Sequence, residues 1–408
     1  MNSQDKSGAK PRAQSNEASA VTQLIHSNSP SAMSAGLLNP PIHRASTITY
    51  STVEDYVDRH KRIYDEVIYG LYGTETTHAL EAAIAELEHG YRTVVTSSGT
   101  AAISLALSAL LTSGDHVLVI DTAYRSTRRF CDEVLTSFGV EVSYFPPDVG
   151  SGIEAYIRPN TRAMLLETPG SLTFELADIG AITSVARARE IVTILDNTWA
   201  TPLFFRPIEH GVDVSIAAAT KYLSGHSDVM LGAMTAASPE IFRRLKDTAR
   251  QWGNCVGPDE CYLVHRGLRT LDVRLERHQR NAAALIKWFQ SQPEVRRVLY
   301  PALRDDPGYS IWARDFSGAS GLFGVLLNPL NRAEISALFN KLTFFKLGAS
   351  WGGFESLMVP AWPPPVRSYT EVAEGYLIRL HAGLESTDNL VEDLEAAFVR
   401  LREASKRK

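Results

Sequence analysis

Six short apolar runs, separated by stretches long enough to form helices, are the feature that most constrains the fold of this chain. The runs are RTVVT (92–96), HVLVID (116–121), RAMLLE (162–167), IVTILD (191–196), VDVSIA (212–217) and LGAMTA (231–236). Each has the length and continuous hydrophobicity of a strand that is buried on both faces. TAAISLALSALLTSG and GAITSVARARE lie between runs and suit crossover helices. The pattern therefore predicts an α/β fold with a mostly parallel sheet wrapped by helices.

The segments around this pattern predict how the chain is organised. Residues 1–30 are rich in Ser, Asn, Ala, Lys and Gln and lack an apolar stretch, so we expect a mobile N-terminal arm rather than a signal peptide. THALEAAIAELEHG (77–90) predicts a helix that ends at Gly90. Later in the chain, a long helical stretch, shorter mixed elements and a final amphipathic helix follow one another. We therefore expect one domain over 74–268 and a smaller α+β domain over 269–408.

Charge and cysteine content exclude several classes of function. The 408 residues carry a net charge of -5, and the Lys and Arg residues are scattered rather than clustered. This distribution predicts that the protein binds neither nucleic acid nor a membrane surface. No run of about 18 apolar residues occurs, so no membrane-spanning helix is expected. The three cysteines, Cys131, Cys255 and Cys261, have neither disulfide-framework numbers nor metal-binding spacing, which predicts reduced thiols, no bound metal and a cytoplasmic location.

Polar residues follow several of the predicted strands, at the sheet edge where open α/β folds collect ligand groups. SSGT (97–100) precedes a helical run, so its N–H groups suit a phosphate, although a serine that only caps the helix gives the same pattern. Tyr124 follows the second run and could lie over a flat ligand or simply pack within the fold. Asp196 ends an apolar strand, and a carboxylate there either caps the next turn or faces a cation.

Lys221, in SIAAATKYLSGHSD (215–228), is the most informative of these positions. A lysine after an apolar strand can simply end the strand in water, which is the common case. It can also lose its charge by condensing with a carbonyl cofactor as a Schiff base. Such a lysine, an aspartate for a pyridine nitrogen, a stacking ring and a helix start for a phosphate are together what pyridoxal phosphate requires. Their joint occurrence predicts that cofactor.

The chain resembles the Cys/Met-metabolism family of pyridoxal phosphate enzymes from about Asn39 to the last helix. The resemblance implies the fold of aspartate aminotransferase (fold type I), with a smaller α+β C-terminal domain. The segments that carry it are ETPGSLTFE (167–175), LDNTWATPLFF (195–205), DVSIAAATKYLSGHSDVMLG (213–232), RGLRTLDVRLERH (266–278), RDFSGASGLF (314–323), SWGGFESL (350–357) and LIRLHAGLES (377–386).

The resemblance implies a role for each residue of the cofactor site. Lys221 matches the Schiff-base lysine, Asp196 the partner of the pyridine nitrogen, and Tyr124 the ring that stacks on the cofactor and assists catalysis. The residues that match the phosphate-binding positions are Gly99 and Thr100 through their N–H groups and Thr220 through its hydroxyl.

The resemblance also implies the groups that bind the substrate. Arg379 matches the arginine that holds the substrate α-carboxylate, and Ser350 and Trp351 match the pair that flanks the substrate. Tyr69 matches a tyrosine that reaches the phosphate and the substrate of a neighbouring subunit, so the segment 31–73 is expected to extend to the neighbour's active site. A homotetramer built from two dimers follows from this arrangement.

The activity implied by the resemblance is β-elimination of an amino-acid thioether, cystathionine, to homocysteine, pyruvate and ammonia, as a step of methionine biosynthesis. The chain departs from the family pattern Y-x-R-x-G, because it has Leu71 and Tyr72 where basic residues are common. Related activities therefore stay open: cleavage of cysteine conjugates, or γ-elimination or γ-replacement. A protein that keeps the fold only as a binding module is a further alternative.

Overall fold

The computed structural model describes residues 20–26, 36–369 and 374–406; the expected arm, residues 1–30, lies mostly outside these ranges. Within them, a seven-stranded sheet forms the centre of the larger part of the molecule, in the order β1-β7-β6-β5-β4-β2-β3. Its strands are β1 Arg92–Thr96, β2 His116–Ile120, β3 Glu141–Phe145, β4 Thr161–Glu167, β5 Val192–Asp196, β6 Val214–Ala217 and β7 Gly232–Ala236. The α/β fold with a mostly parallel sheet is thus confirmed.

All six apolar runs of the sequence form strands of this sheet. β2 to β6 pair in parallel, whereas β7 is antiparallel to both of its neighbours, β1 and β6. β7 reverses direction because only a loop, and no crossover helix, joins it to β6. β3 was not predicted, because EVSYF lacks a continuous apolar run. It is an edge strand whose first residue is exposed and whose next three residues are only half-buried.

Helices cover both faces of the sheet and lead into the C-terminal part. Those described are Ala20–His26, Val53–Asp58, Glu75–Glu88, Gly99–Leu110, Arg125–Arg129, Ile179–Ala188, Thr201–Phe204, Pro239–Gln251, Pro258–Leu268, Leu271–Gln290, Tyr309–Asp315, Arg332–Phe339 and Thr387–Ser405. The helix expected to stop at Gly90 ends slightly earlier. His89 takes the left-handed conformation there, with φ 53°. Gly90 is needed for a different reason, since a Cβ at this position would lie 2.3 Å from Thr235.

A second sheet of four antiparallel strands lies in the C-terminal part, in the order β10-β11-β9-β8. Its strands are β8 Val295–Leu299, β9 Leu322–Leu327, β10 Leu357–Pro360 and β11 Tyr376–His381. One continuous apolar core joins this sheet to the larger one, so Phe289 and Phe323 belong to the same cluster as Leu118 and Ile194. Within the described ranges, no helix combines the length and the apolar character needed to cross a bilayer.

Candidate active site

Lys221 lies in the loop between β6 and β7, beyond the carboxyl end of β6. Its backbone N–H donates to Ala218 (2.9 Å), and its carbonyl accepts from Gly225 (2.8 Å). The buried guanidinium of Arg274 donates to the carbonyl of Tyr222 (2.7 Å), and this bond attaches the loop to the helix Leu271–Gln290. Burial, assisted by the nearby Arg379 cation and opposed by Asp196, lowers the pKa of Lys221 to about 8. The loop therefore holds an amine whose neutral fraction near physiological pH is far larger than that of an ordinary lysine.

Ser350 links this amine to a second cation. The Lys221 Nζ donates to the Ser350 hydroxyl, while the Ser350 carbonyl accepts from Arg379 Nη2 at 2.8 Å. Ser350 has φ 82°, a strained conformation for a residue other than glycine. Trp351 follows, with its ring centroid 5.1 Å from the Lys221 Nζ. The structure thus brings together four of the residues that the sequence predicts for the site.

Arg379 belongs to β11 and lies between β9 and β10, paired with Gly324 on one side and Val359 on the other. Burial lowers the pKa of Arg379, and the neighbouring Tyr124 opposes that effect. Among the described residues, the only hydrogen-bond partner of its side chain is the carbonyl of Ser350. Most of its five N–H donors are thus free for a planar carboxylate ligand.

Asp196 ends β5 and lies next to the lysine loop. Its Oδ1 accepts from the N–H (2.9 Å) and the hydroxyl (2.5 Å) of Thr198, and the same hydroxyl accepts from the N–H of Ala218 (2.8 Å). Burial raises the pKa of Asp196, while Thr198 and Lys221 oppose that shift. Oδ2 makes no hydrogen bond to any described residue. The carboxylate can therefore offer one oxygen to a cationic ligand group.

Glu167 is a functional candidate that the sequence reasoning missed. It ends β4 directly beside Asp196 in the sheet register, and its Oε2 accepts from the N–H of Tyr124 at 2.6 Å. Burial, reinforced by Asp196, raises the pKa of Glu167 well above its ordinary value. RAMLLE ends in a carboxylate just as IVTILD does, so the same sequence signal could have identified it. Tyr124 itself is 48% exposed, which leaves its ring accessible to a ligand.

The helix Gly99–Leu110 begins at the same sheet edge. Ser98 caps it, since its hydroxyl accepts from Ala101 (3.1 Å). In the described ranges, no acceptor pairs with the N–H groups of Gly99 and Thr100, as expected for an anion site at a helix start. A Cβ on Gly99 would lie 2.6 Å from Ala218, so glycine permits this approach to the lysine loop.

Thr220 and Tyr69 are placed differently from the other predicted residues. The Thr220 hydroxyl bonds to the backbone of Leu231, accepting at 2.9 Å and donating at 3.2 Å. Tyr69 is 45% exposed and packs edge-on against Tyr72, with ring centroids 6.1 Å apart. No hydrogen bond or ring contact within the described ranges joins Tyr69 to Lys221. The single chain therefore leaves Tyr69 outside the cluster.

A buried ion pair anchors a loop of the C-terminal part beside this edge. Asp121, directly after β2, pairs with Arg128 at 2.9 Å, and both side chains are almost fully buried. The Asp121 carboxylate also accepts from the N–H groups of Ser368 (2.7 Å) and Tyr369 (3.0 Å). The loop 361–369 is thereby attached to the larger sheet close to Tyr124.

These residues fit the pyridoxal phosphate that the sequence predicts. An amine with a lowered pKa suits an aldehyde, the free oxygen of Asp196 suits a protonated ring nitrogen, and the unpaired N–H groups of Gly99 and Thr100 suit a phosphate. Arg379 adds a site for a carboxylate. The arrangement can therefore bind an amino acid beside an amine base.

Comparison with known proteins agrees with this geometry. A family model described as Cys/Met metabolism PLP-dependent enzyme matches residues 21–399. A putative cystathionine beta-lyase of Rhizobium johnstonii is 42% identical over 381 residues, which cover 92% of this chain and 95% of that protein. Cystathionine beta-lyase MetC of Escherichia coli is 38% identical over 390 residues, covering 93% and 98%. An L-alanine/L-glutamate racemase of Wolbachia pipientis is 39% identical over 379 residues, covering 90% and 93%.

The architecture has a solved counterpart. The crystal structure of a cystathionine gamma-lyase from Lactobacillus plantarum, complexed with L-serine, superposes with a TM-score of 0.86 at 32% sequence identity. The match covers 94% of this chain and all of the other chain. The likeness therefore includes both sheets.

Proposed function

Because the chain belongs to the Cys/Met metabolism family of PLP-dependent enzymes, we propose that it cleaves the Cβ–S bond of cystathionine. Water is consumed, and the products are homocysteine, pyruvate and ammonia. The observation that carries this proposal is the pair of bonds at Ser350, which set the Lys221 amine beside the Arg379 guanidinium. An amine base and a carboxylate site are then linked through a single residue. The relatives named cystathionine beta-lyase support the choice of substrate.

The proposed cofactor contacts follow from the free atoms of the site. Lys221 would hold pyridoxal phosphate through its amine, and Asp196 Oδ2 would face the ring nitrogen. Tyr124 would stack on the ring, and the N–H groups of Gly99 and Thr100 would bind the phosphate. Thr220, which is hydrogen-bonded to Leu231, would assist the phosphate by a rotation of its hydroxyl. The bound cofactor would supply a sink for the negative charge that develops at the substrate Cα.

The protein's own groups then account for the remaining chemistry. Arg379 binds the α-carboxylate with its planar donors and fixes the orientation of the Cα–H bond. When it is not bound to the cofactor, the Lys221 Nζ would accept the Cα proton, which its lowered pKa favours near neutral pH. Its proton can pass to the departing sulfur. Ser350 and Trp351 flank the substrate chain, and Trp351 excludes water beside the amine.

We further propose a homotetramer in which Tyr69 completes the site of a neighbouring subunit. Its support is the exposed apolar surface on the N-terminal segment, where Leu38 is 78%, Val53 73% and Val57 59% exposed. A division into domains at residues 268/269 is proposed from the two sheets, which lie on either side of it. A cytoplasmic location is proposed from the cysteines, because Cys131, Cys255 and Cys261 are unpaired.

Keto-acid analysis of the purified holoenzyme tests the proposed reaction. Cystathionine should give pyruvate in amounts equal to homocysteine. Release of 2-oxobutyrate would favour γ-elimination instead, and turnover of cysteine conjugates alone would favour the related lyase activity. Absence of any keto acid from cystathionine, cystine and djenkolate would overturn the lyase proposal and leave a binding module. Lys221→Ala should abolish product formation.

Racemisation of amino acids is a second candidate. The observation in its favour is the 39% identity with the L-alanine/L-glutamate racemase. Both reactions begin with removal of the Cα proton, and alanine lacks a sulfur leaving group at Cβ. Incubation of L-alanine in deuterated water separates the possibilities: deuterated D-alanine would indicate racemisation. Unchanged L-alanine together with pyruvate from cystathionine would indicate β-elimination alone.

A further inference from the structure

Three polar rings lie behind the candidate active site, where no ligand could reach them. Tyr222 and His278 are fully buried, and His381 is 1% exposed. Their centroids are 5.0 to 5.7 Å apart, and Tyr222 also packs against Trp351 at 5.5 Å. Buried polar groups cost free energy unless they are hydrogen-bonded, so a fully apolar core would be the simpler solution here. Their hydrogen bonds show what they hold in place.

The bonds of His381 define its tautomer. Its Nε2 lies 3.0 Å from the carbonyl of Gly353, an acceptor only, so Nε2 must carry the proton and donate. Nδ1 is then the acceptor, and the hydroxyl of Tyr222 donates to it at 3.4 Å. That hydroxyl accepts in turn from the N–H of Gly321 at 3.0 Å. Burial lowers the pKa of His381 well below its ordinary value, which keeps the ring in this neutral form.

Three members of this chain of bonds lie one or two residues from a site residue. Tyr222 follows Lys221 directly, and Gly353 comes two residues after Trp351. His381 lies two residues beyond Arg379 on β11, so the two side chains share one face of the strand. The bonds therefore join the three segments that carry the amine, the flanking pair and the guanidinium.

We propose that Tyr222 and His381 are positioning residues that fix Arg379 and the segment 350–353 against the Lys221 loop. The segment 350–353 packs tightly on the Lys221 loop, because a Cβ on Gly352 would lie 2.9 Å from both Lys221 and Tyr222. His278 supports the assembly from the helix side, with its Nδ1 2.7 Å from the carbonyl of Ala382. The separation between the amine and the carboxylate site is thus set behind the site, by bonds that no substrate touches.

Tyr222→Phe tests this role by removing one hydroxyl while the ring stays in place. Tyr144→Phe is the control, since Tyr144 lies on the edge strand β3 and its hydroxyl donates to Asp132 at 2.5 Å, a bond that involves none of the segments 221–222, 350–353 and 379–381. The first readout is hydrogen–deuterium exchange of the peptide 350–356 in cofactor-free protein. It should be about fivefold faster in Tyr222→Phe, the factor typical of one lost hydrogen bond, and unchanged in Tyr144→Phe.

The second readout rests on the proposed function and uses the holoenzyme. The KM for cystathionine should rise about fivefold in Tyr222→Phe with a smaller fall in kcat, because the carboxylate site moves relative to the amine. His381→Gln keeps a donor and an acceptor, so its KM should be closer to the wild-type value than the KM of His381→Leu. This pair also decides the question if Tyr222→Phe does not fold.

Wild-type exchange and KM in Tyr222→Phe would overturn the proposal. Equal effects of Tyr222→Phe and Tyr144→Phe would also overturn it, since they would indicate a general loss of stability. If the protein does not cleave cystathionine, the exchange experiment still decides the positioning role, so the two proposals can fail separately.

Discussion

The lowered pKa of Lys221 gives a prediction that can be tested without the cofactor. Burial and the Arg379 cation disfavour the charged amine, while Asp196 favours it, and the pKa falls from 10.5 to about 8. Removal of Arg379 and removal of Asp196 should therefore shift the pKa of Lys221 in opposite directions. Arg379→Gln should raise the pKa of Lys221, and Asp196→Asn should lower it further.

The size of the effect makes the measurement straightforward. At pH 8, about half of the Lys221 side chains would be neutral, compared with about 0.3% for a lysine that keeps the ordinary value. The reactive fraction at that pH is thus on the order of a hundredfold larger than for an ordinary lysine. Such a difference greatly exceeds the error of a labelling experiment.

Competitive labelling of the cofactor-free protein measures this fraction. An acylating reagent reacts only with neutral amines, and mass spectrometry of the peptides gives the rate at each lysine across a pH series. Lys341, which is exposed, serves as the internal reference. Titration of Lys221 at the ordinary lysine value, or a shift of the same sign in Arg379→Gln and Asp196→Asn, would refute the reasoning.

Three further predictions concern the support of the site. Gly352→Ala should displace the lysine loop and lower the urea midpoint more than Gly114→Ala, because both glycines have a φ near +90° but only Gly352 lacks room for a Cβ. Arg128→Ala should destabilise the protein by about 3 kcal/mol in urea unfolding, since it removes the cation that balances the buried Asp121 charge. Arg129→Ala, which removes an exposed pair, should cost less than about 1 kcal/mol. Ser350→Gly should leave the urea midpoint unchanged or raise it, because φ 82° suits glycine, while kcat falls through loss of the contact with the amine. Equal losses of stability in Gly352→Ala and Gly114→Ala, or in Arg128→Ala and Arg129→Ala, would contradict these expectations. Full activity in Ser350→Gly would also contradict them.

The fold could be predicted well where the burial of a strand dictates its hydrophobic pattern. Strands buried on both faces need continuous apolar runs, so all six runs appear in the sheet. β3 could not be found in this way, because an edge strand needs no such run. The direction of β7 was equally hidden, since it depends on whether the residues between β6 and β7 form a helix.

The site was predictable where a residue's chemistry is unusual for its local position. Asp196 and Lys221 are charged residues at the ends of apolar strands, and the structure brings them together. Glu167 has the same signal and was overlooked. The bond between Tyr222 and His381 joins residues 159 positions apart, and neither residue is unusual in its own segment. Contacts of that kind depend on how the two sheets pack and leave no local pattern.

Borohydride reduction of the holoenzyme, followed by peptide mapping, tests the central claim most directly. The reagent fixes pyridoxal phosphate to the amine that holds it, and the added mass then identifies the lysine. The account predicts that this mass lies on the peptide containing Lys221, with Asp196, Ser350 and Arg379 as its neighbours in space. Attachment at any other lysine, or no attachment in a protein purified with the cofactor, would contradict it.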